Sequence, residues 1–330
     1  MNREHPLHGL ATRFGAGEVA RRYYHRPLDN LKATILEGGP LERRRTERGR
    51  ADMIEAARTL RPLLPKEGPP QLDVSFLSGE RYWYQTLFCL YSLQLCCEGQ
   101  VAATIYDDGS LGEAHQALIR RAIPWIKFVL TAQIEAQLDR HLPTNLFPAL
   151  RARRIAYPHL RKLTDIHPGR HGWTLVLDSD MLFFRSPTAL LKWAVAPDRP
   201  CHMIDAERAY GYSKLLMREL GGCEEPDRVN VGICGLRSER IRWEALDFWC
   251  RATIEREGVS YLQEQALTAL LLAGQPAIRL PADDYRVRPS ASEGRNPTAV
   301  LHHYVAESKR AFFQYGWRRV VAAAKAAGIP

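Results

Sequence analysis

The strongest constraint on the fold is an apolar run that ends abruptly in carboxylates. Residues 173–177 read Trp-Thr-Leu-Val-Leu and are followed at once by Asp178, Ser179 and Asp180. Such a run is typical of a strand that is buried on both faces, where charged side chains are too costly, so the acids are expected at its carboxyl end. Ligands of open α/β sheets bind beyond the carboxyl ends of the strands. The pattern therefore predicts an α/β fold with a ligand site at these acids.

The chain divides into two regions of different character. Residues 1–70 contain five arginines between positions 43 and 50, no strand-like run, and four prolines between positions 62 and 70. From residue 71 onward, short apolar runs alternate with longer helical stretches, as in a parallel sheet with crossover helices. We therefore expect a basic helical N-terminal extension over 1–70. A Rossmann-like domain over 71–330 should hold a mostly parallel central sheet with helices on both faces.

Periodicity and turn residues place the elements of this domain. Strands are predicted at 74–77, 102–106, 126–130, 173–177, 202–204 and 229–236, with a terminal segment at 300–305. Helices are predicted at 81–96, 113–121, 131–141, 145–164, 240–257 and 262–272.

Composition narrows the class of protein. The longest apolar stretches, 87–97 and 266–273, fall short of the ~20 residues that a membrane span needs. The N-terminus shows no apolar segment of a secretory signal. The seven cysteines include no CxxC pair, so we expect reduced, mostly buried cysteines and no zinc site. A soluble, cytoplasmic protein is the expectation.

The net charge of +9 is confined to the two ends of the chain. Lys and Arg exceed Asp and Glu by 14 to 9 in residues 1–70 and by 5 to 1 in residues 307–330, whereas residues 71–306 hold 27 of each. Because the middle has no basic stripe interleaved with aromatic residues, no nucleic-acid partner is expected. The basic ends, including an amphipathic segment at 312–325, either dock on the protein with solvated charges or touch an anionic membrane surface peripherally.

The acids after the apolar strand are suited to a divalent cation. In an extended segment, Asp178 and Asp180 project to the same side. Close carboxylates repel each other unless a cation lies between them, and such oxygen ligands suit Mg²⁺ or Mn²⁺. A cation of this kind stabilises the negative charge that grows on a diphosphate leaving group when a nucleotide sugar is cleaved.

Residues 72–315 resemble the GT-A glycosyltransferases, in particular the retaining family that includes glycogenin and the bacterial lipopolysaccharide galactosyltransferases. The segment VLDSDMLFFRSP resembles the DxD strand of that family. The resemblance implies that Asp178 and Asp180 hold the cation and, with Ser179, help to seat the donor ribose.

Further matches to the motifs of this family follow along the chain in the order that the family has them. Asn230 and Gly232 fall where the family has an Asn-x-Gly strand that lines the donor and acceptor pocket. His303 matches the histidine that completes the metal shell, and Lys309 matches the lysine that binds the diphosphate six residues later. Imidazole suits Mn²⁺ better than Mg²⁺, and an ammonium group suits phosphate. His302 is the competing metal ligand.

The same resemblance suggests residues for catalysis. Glu264 and Gln265 resemble the Asp-Gln pair at the start of a helix, with glutamate in place of aspartate. Glu264 is a candidate base or nucleophile, and Asp205 is a second candidate. One departure concerns the phosphate loop, where Ala306 replaces a glycine of the family.

Two further sets of candidate donor contacts each have an alternative interpretation. Asp107 and Asp108 follow the second strand, where the family contacts the nucleotide base or ribose, but Asp-Gly is also an ordinary turn signal. Lys162, like Arg154 and Arg161, precedes the DxD strand, where the family uses a basic side chain near the donor. Solvated helix charges are the equal alternative.

Three other functions compete with a glycosyltransferase that uses a nucleotide sugar, with a UDP-sugar favoured by the resemblance. A DxD phosphatase of the haloacid dehalogenase type would have Thr or Val where Leu182 stands. A sugar-nucleotide pyrophosphorylase would have a glycine-rich loop after the first strand, which is missing here. The third alternative is a protein that binds a nucleotide sugar or a glycan without turnover. The acceptor of a transferase would be a glycan, a lipid or a protein.

Overall fold

The structure is a computed structural model that describes residues 38–328. The first 37 residues of the predicted extension and the last two residues of the chain lie outside the described part. The strands are β1 Leu72–Ser78, β2 Val101–Asp107, β3 Lys127–Val129, β4 Trp173–Leu177, β5 Met181–Phe183, β6 Cys201–Ile204, β7 Val229–Arg237, β8 Ile278–Arg279, β9 Tyr285–Val287 and β10 Leu301–His303.

The helices surround these strands. They are α1 Pro40–Thr59, α2 Trp83–Cys96, α3 Glu113–Ala122, α4 Thr131–His141, α5 Pro148–Ala156, α6 Arg161–Thr164, α7 Thr188–Val195, α8 Lys214–Gly221, α9 Trp243–Glu257, α10 Gln263–Leu272, α11 Ala291–Arg295, α12 Lys309–Ala311 and α13 Trp317–Ala326. A π-helical turn, Phe312–Gly316, joins α12 to α13.

The central sheet has seven strands in the order β3-β2-β1-β4-β7-β6-β8. All neighbouring pairs are parallel except those made by β7, which runs antiparallel to β4 and to β6. Leu175 and Leu177 of β4 pack into one hydrophobic cluster, and Val176 packs into another. Because alternate side chains of β4 enter different clusters, both faces of the sheet are buried. The predicted α/β class with a mostly parallel sheet is confirmed.

A second, smaller sheet positions the C-terminal part of the chain against the acids. It has the order β5-β10-β9, with β10 antiparallel to β5 and parallel to β9. His303 lies opposite Met181, and the Tyr304 backbone N–H donates to the Asp180 carbonyl oxygen at 2.9 Å. The segment that follows β4 therefore carries the acids and also receives the strand that bears the histidines.

The first described helix, α1, packs against the C-terminal segment. Met53 of α1 is fully buried in the main hydrophobic cluster, and the Arg50 guanidinium lies 4.6 Å from the centre of the Phe313 ring. Arg318 of α13 pairs with Asp52 at 2.7 Å. The helical part of the predicted extension thus docks on the body of the protein, whereas the boundary at residue 70 stays a prediction.

The apolar face of the C-terminal segment is covered. Phe312, Trp317 and Val320 are buried in the main cluster, and the basic residues Arg319 and Lys325 stay exposed. This is the docked arrangement that the sequence offered as one alternative. Within residues 38–328, the structure has no helix with the length and apolar content to cross a membrane.

One predicted helix is wrong and several short elements were not predicted. The helix expected at 145–164 is divided into α5, a 3₁₀ turn Pro158–Leu160 and α6. Pro158 explains the break, because proline lacks the N–H that a continuing helix needs and disfavours helical geometry at Tyr157. The seven cysteines are free and mostly buried, as expected.

The docking of α1 gives a stability prediction at Gly49. This residue is buried within the helix, and a Cβ atom there would lie 2.3 Å from the Phe313 carbonyl oxygen. In an undocked helix, Gly→Ala would stabilise by about 1 kcal/mol. We expect Gly49→Ala instead to lower the free energy of unfolding by about 1–3 kcal/mol, measured by urea denaturation.

A control in the same helix separates packing from helix propensity. Ala51 is exposed, so Ala51→Gly should lower the free energy of unfolding by about 1 kcal/mol through propensity alone. A more stable Gly49→Ala variant would contradict the described contact between α1 and the C-terminal segment.

Candidate metal and donor site

Asp178, Asp180 and His303 meet at the carboxyl end of β4. Each offers one ligand atom, and these atoms all lie within 4.8 Å of one another. His303 Nε2 is 3.2 Å from Asp180 Oδ1 and 3.6 Å from Asp178 Oδ2. The predicted ligand set is therefore brought together from two distant parts of the chain.

The ring of His303 is fixed from behind by Asn230. His303 Nδ1 lies 3.0 Å from Asn230 Oδ1, which also accepts the Gly232 N–H at 3.0 Å. Because an amide oxygen only accepts, Nδ1 carries a proton and Nε2 is the ring nitrogen that faces the acids. Burial would lower the pKa of His303, but Asp180 and Asp178 outweigh it and raise that pKa. The Nε2 atom is buried and has no hydrogen-bond partner of good geometry, although it faces the two acids. A ring nitrogen that faces two carboxylate oxygens fits a divalent cation, which would replace its proton, with imidazole favouring Mn²⁺ over Mg²⁺.

His302 points elsewhere. Its Nδ1 lies 3.1 Å from the Tyr304 hydroxyl, and its ring packs edge-on against Phe184 at 5.0 Å. Burial lowers the pKa of His302 to about 4, so the ring is neutral. Because successive side chains of β10 point to opposite sides, only one of the two histidines can face the acids, and it is His303.

Two lysines hold the outer oxygens of the two aspartates. Lys162 Nζ lies 2.8 Å from Asp178 Oδ1 and 3.2 Å from Glu264 Oε2. Lys309 Nζ lies 3.3 Å from Asp180 Oδ2. Each aspartate thus has one oxygen paired with an ammonium group and the other directed at His303 Nε2. This division leaves one oxygen of each acid for a cation.

The charges of the site perturb one another. Burial would raise the pKa of Asp180, but the nearby His303 and Lys309 outweigh it and hold that pKa well below its usual range. Burial would likewise lower the pKa of Lys162, and the charges of Asp178 and Glu264 reverse this, so the ammonium stays protonated. Within this site, Asp180 therefore stays ionised and Lys162 stays positively charged.

Glu264 behaves differently from the two aspartates. Burial raises its pKa to about 7, with Lys162 opposing the rise and Asp178 adding to it. A carboxyl group with a pKa near neutrality can exchange a proton at physiological pH, which suits acid–base chemistry.

Asp205 and Gln265 belong to the same buried network as Asn230. Asp205 Oδ2 accepts from Asn230 Nδ2 at 3.0 Å and from Gln265 Nε2 at 3.1 Å. Gln265 also donates to the Ala209 carbonyl oxygen at 2.7 Å. The structure thus connects these catalytic candidates to the amide that holds His303. Whether they act in catalysis stays a prediction.

The predicted donor contacts after β2 have local hydrogen-bond partners. Asp107 accepts from the Gly109 and Leu111 N–H groups at 2.8 Å each and from the Thr131 hydroxyl at 2.7 Å, so it stabilises the turn. Asp108 accepts from the Ser110 N–H at 3.0 Å. Their contact with a nucleotide stays a prediction.

The remaining donor candidates differ in their surroundings. The Ser179 hydroxyl accepts from Thr86 at 2.9 Å. Arg154 forms a buried pair with Asp165 at 2.6 Å, so the alternative of a solvated charge is wrong for this residue. Of the three basic residues predicted before the DxD strand, Lys162 is the one whose ion pairs reach the acids.

Two aromatic residues near the site were not predicted. The rings of His159 and Tyr261 lie 4.9 Å apart in an edge-on arrangement. Lys309, Asp180 and Asp178 are all close enough to influence the Tyr261 phenol electrostatically. The only sequence signal was the position of Tyr261, three residues before Glu264.

The packing of Gly232 against His303 gives a second prediction. A Cβ atom at Gly232 would lie 2.5 Å from His303 Cε1 and Nδ1. We expect Gly232→Ala to displace the imidazole and to weaken Mn²⁺ binding in the presence of UDP at least about tenfold, since orienting partners of metal ligands contribute 10–100-fold to affinity. Titration followed by electron paramagnetic resonance measures free Mn²⁺ directly.

Gly235 on the same strand provides the matched control. A Cβ atom there would meet Trp193 at 2.5 Å, away from the acids. Gly235→Ala should therefore lower stability by a similar amount, about 1–3 kcal/mol, while leaving Mn²⁺ affinity unchanged. Equal Mn²⁺ affinity in both variants would argue against His303 as a ligand.

Comparison with known proteins identifies the fold. No protein-family model and no curated protein matches the sequence. Among solved structures, the chain is similar to the galactosyltransferase LgtC in complex with donor and acceptor sugar analogues, with a TM-score of 0.53 and 17% sequence identity over 77% of this chain and 95% of LgtC. An active-site mutant of LgtC gives a TM-score of 0.52 at the same identity and coverage. The chain therefore has the GT-A fold that the DxD strand and its companion motifs predict.

Proposed function

We propose that the chain is a metal-dependent glycosyltransferase that moves a sugar from a nucleotide-diphosphate sugar to an acceptor. The observation that carries this proposal is the buried, unpaired Nε2 of His303, which faces one oxygen of Asp178 and one of Asp180. The GT-A fold, shared with a galactosyltransferase solved with donor and acceptor sugar analogues, supports it. A UDP-sugar is the favoured donor.

The cation-binding residues have a defined task in this proposal. Asp178, Asp180 and His303 would hold Mn²⁺ or Mg²⁺, which when bound neutralises charge on the diphosphate. Lys309 lies beside Asp180 and is half-exposed, with 43% of its side chain accessible, so its ammonium group is free to move to a diphosphate oxygen. Lys309 would thus stabilise the leaving group from the side that faces solvent.

The buried polar residues would contact the sugar that is transferred. Asn230 and Gly232 line the base of the site, and Gln265 and Asp205 are hydrogen-bonded to the same network. Glu264 is the candidate base or nucleophile, because its pKa lies near 7 and Lys162 holds its carboxylate in place.

Donor recognition would involve the ends of the strands beside β4. Asp107, Asp108 and Ser179 are the proposed contacts to the nucleotide. Asp108 lies against Gly79, where a Cβ atom would be 1.9 Å from its carboxylate, so the chain leaving β1 closely approaches this acid. That arrangement supports a shared surface for the base and ribose.

The alternatives differ in what supports them. The GT-A fold disfavours a phosphatase of the haloacid dehalogenase type. A sugar-nucleotide pyrophosphorylase shares much of this fold, but this chain does not have the glycine-rich loop of such an enzyme. A binding protein without turnover would use the same site, and release of UDP from a UDP-sugar distinguishes the two. Contact with an anionic membrane would rest on exposed basic residues of the two ends, such as Arg44 and Arg45 of α1 and Arg319 and Lys325 of α13, since the apolar face of α13 is covered.

Ligand-induced stabilisation tests the cation site. In wild type, UDP and Mn²⁺ together should raise the melting temperature by about 5 °C at saturation, and neither alone should do so. His303→Asn should abolish this shift, because it removes the nitrogen that faces the acids. His302→Asn is the control, and its shift with UDP and Mn²⁺, measured from its own melting temperature, should equal that of wild type. If only the His302 variant lost the shift, His302 and not His303 would be the metal ligand.

Turnover tests the reaction itself. Purified protein should release UDP from a UDP-sugar when Mn²⁺ is present. Asp180→Asn should reduce the rate about a hundredfold or more, because it removes a charged ligand of the cation that stabilises the leaving group. Asp283→Asn, a change at a fully exposed acid, should leave the rate unchanged. Equal release by the Asp180 and Asp283 variants would reject the proposed role of the acids.

A further inference from the structure

Arg288 joins two segments of the chain that flank the candidate site. Its guanidinium lies 2.8 Å from a carboxylate oxygen of Glu207 and 3.0 Å from one of Glu307. Glu207 lies in the segment after β6, two residues beyond Asp205. Glu307 lies in the 3₁₀ turn after β10, two residues before Lys309. One side chain therefore connects a residue next to the buried polar network with the turn that leads into the lysine proposed for the diphosphate.

The backbone of Arg288 is held in an uncommon conformation. Its φ is +56°, in the left-handed region that residues other than glycine seldom adopt. Its N–H donates to the carbonyl oxygen of His303 at 3.0 Å, where β9 pairs with β10. Backbone strain of this kind persists only where the surrounding structure over-determines it, and it is concentrated at functional sites. The strain at Arg288 thus lies directly beside the strand that supplies the predicted metal ligand.

The segment that carries Glu207 is fixed at both ends. Before it, the Asp205 N–H donates to the Arg228 carbonyl oxygen at 2.7 Å. After it, the Ala209 carbonyl oxygen accepts from Gln265 Nε2 at 2.7 Å. Because Gln265 Nε2 also donates to the Asp205 carboxylate at 3.1 Å, one amide group holds both ends of this segment. Glu207 therefore has a fixed backbone position, although 69% of its side chain is exposed.

The turn that carries Glu307 begins with a strained residue. Ala306 has a φ of +50°. The resembling family has a glycine at this position, and glycine adopts such a φ without the steric cost that alanine incurs. Two nitrogens of the Arg288 guanidinium hold one carboxylate oxygen of Glu307, with Nε at 3.1 Å and a terminal nitrogen at 3.0 Å. The arginine thus holds the turn between its strained first residue and Lys309.

We propose that Arg288 is a positioning residue for the donor diphosphate. By holding Glu307 against Glu207, it keeps the turn before Lys309 in place, so that the ammonium group meets the diphosphate without a further ordering cost. Ion pairs as exposed as these contribute little to global stability, so their effect is expected in ligand binding. This role rests on the proposed transferase function and adds to it a residue that acts through Lys309.

Affinity for UDP tests this role, with the full chain titrated by calorimetry at saturating Mn²⁺. Arg288→Gln should weaken UDP binding about tenfold, because the turn before Lys309 must then be ordered when UDP binds. Glu207→Gln removes only one of the two ion pairs and should weaken binding about threefold, with an unchanged melting temperature. The control is Arg256→Gln, which breaks an exposed pair with Glu219 at 2.5 Å between α8 and α9 and should leave UDP affinity unchanged.

A double variant distinguishes positioning of Lys309 from a general loosening of the site. Lys309→Ala should itself weaken UDP binding about tenfold or more, and adding Arg288→Gln should then change the affinity by less than about twofold. Independent losses that multiply in the double variant, or wild-type affinity in Arg288→Gln alone, would overturn the role of Arg288 and leave the transferase intact. Failure of wild type to bind UDP with Mn²⁺ would instead reject the transferase, and the role of Arg288 with it.

Discussion

Charge compensation at the end of β4 is the interaction on which the rest of the structure depends. Asp178 and Asp180 follow a strand that is buried on both faces, and an uncompensated carboxylate there would be strongly unfavourable. Lys162 reaches Asp178 from the segment before β4, and Lys309 reaches Asp180 from the segment after β10. His303 must enter between them, which requires β10 to pair with β5. The small sheet and the C-terminal helices are therefore arranged around these two acids.

The parts of the site that could be predicted follow from local patterns. The strand Trp173–Leu177 and the helix Thr131–His141 have the predicted bounds, because an apolar run or a helical repeat with clear ends determines them. The acids at the end of β4 follow from the cost of burying charge within a strand. The choice of His303 over His302 rested on family spacing, and the structure supplies its physical reason, since the pairing of β10 with β5 fixes which side chain faces the acids.

Other features depend on contacts that a local pattern does not contain. The sequence left Lys162 either as a donor contact or as a solvated helix charge. Only the fold places its ammonium between Asp178 and Glu264, and Glu264 is distant in sequence. Three-residue strands such as β5 and β9 are too short for periodicity to distinguish them from loops. The exposed ring of Tyr261 gave no signal either, because an isolated tyrosine in a turn is ordinary and its meaning comes from the groups around it.

The contact between α1 and the C-terminal segment has a consequence for how the chain is made. Residues 40–59 leave the ribosome long before residues 312–326, so the part of α1 that contacts the C-terminal segment is uncovered during most of synthesis. The same holds for Asp178 and Asp180, because His303 and Lys309 follow them by 123 residues or more. Contacts of such long sequence separation slow folding. A nascent chain must therefore keep part of an apolar helix face and an unfinished pocket apart from other proteins until residue 326 has been synthesised.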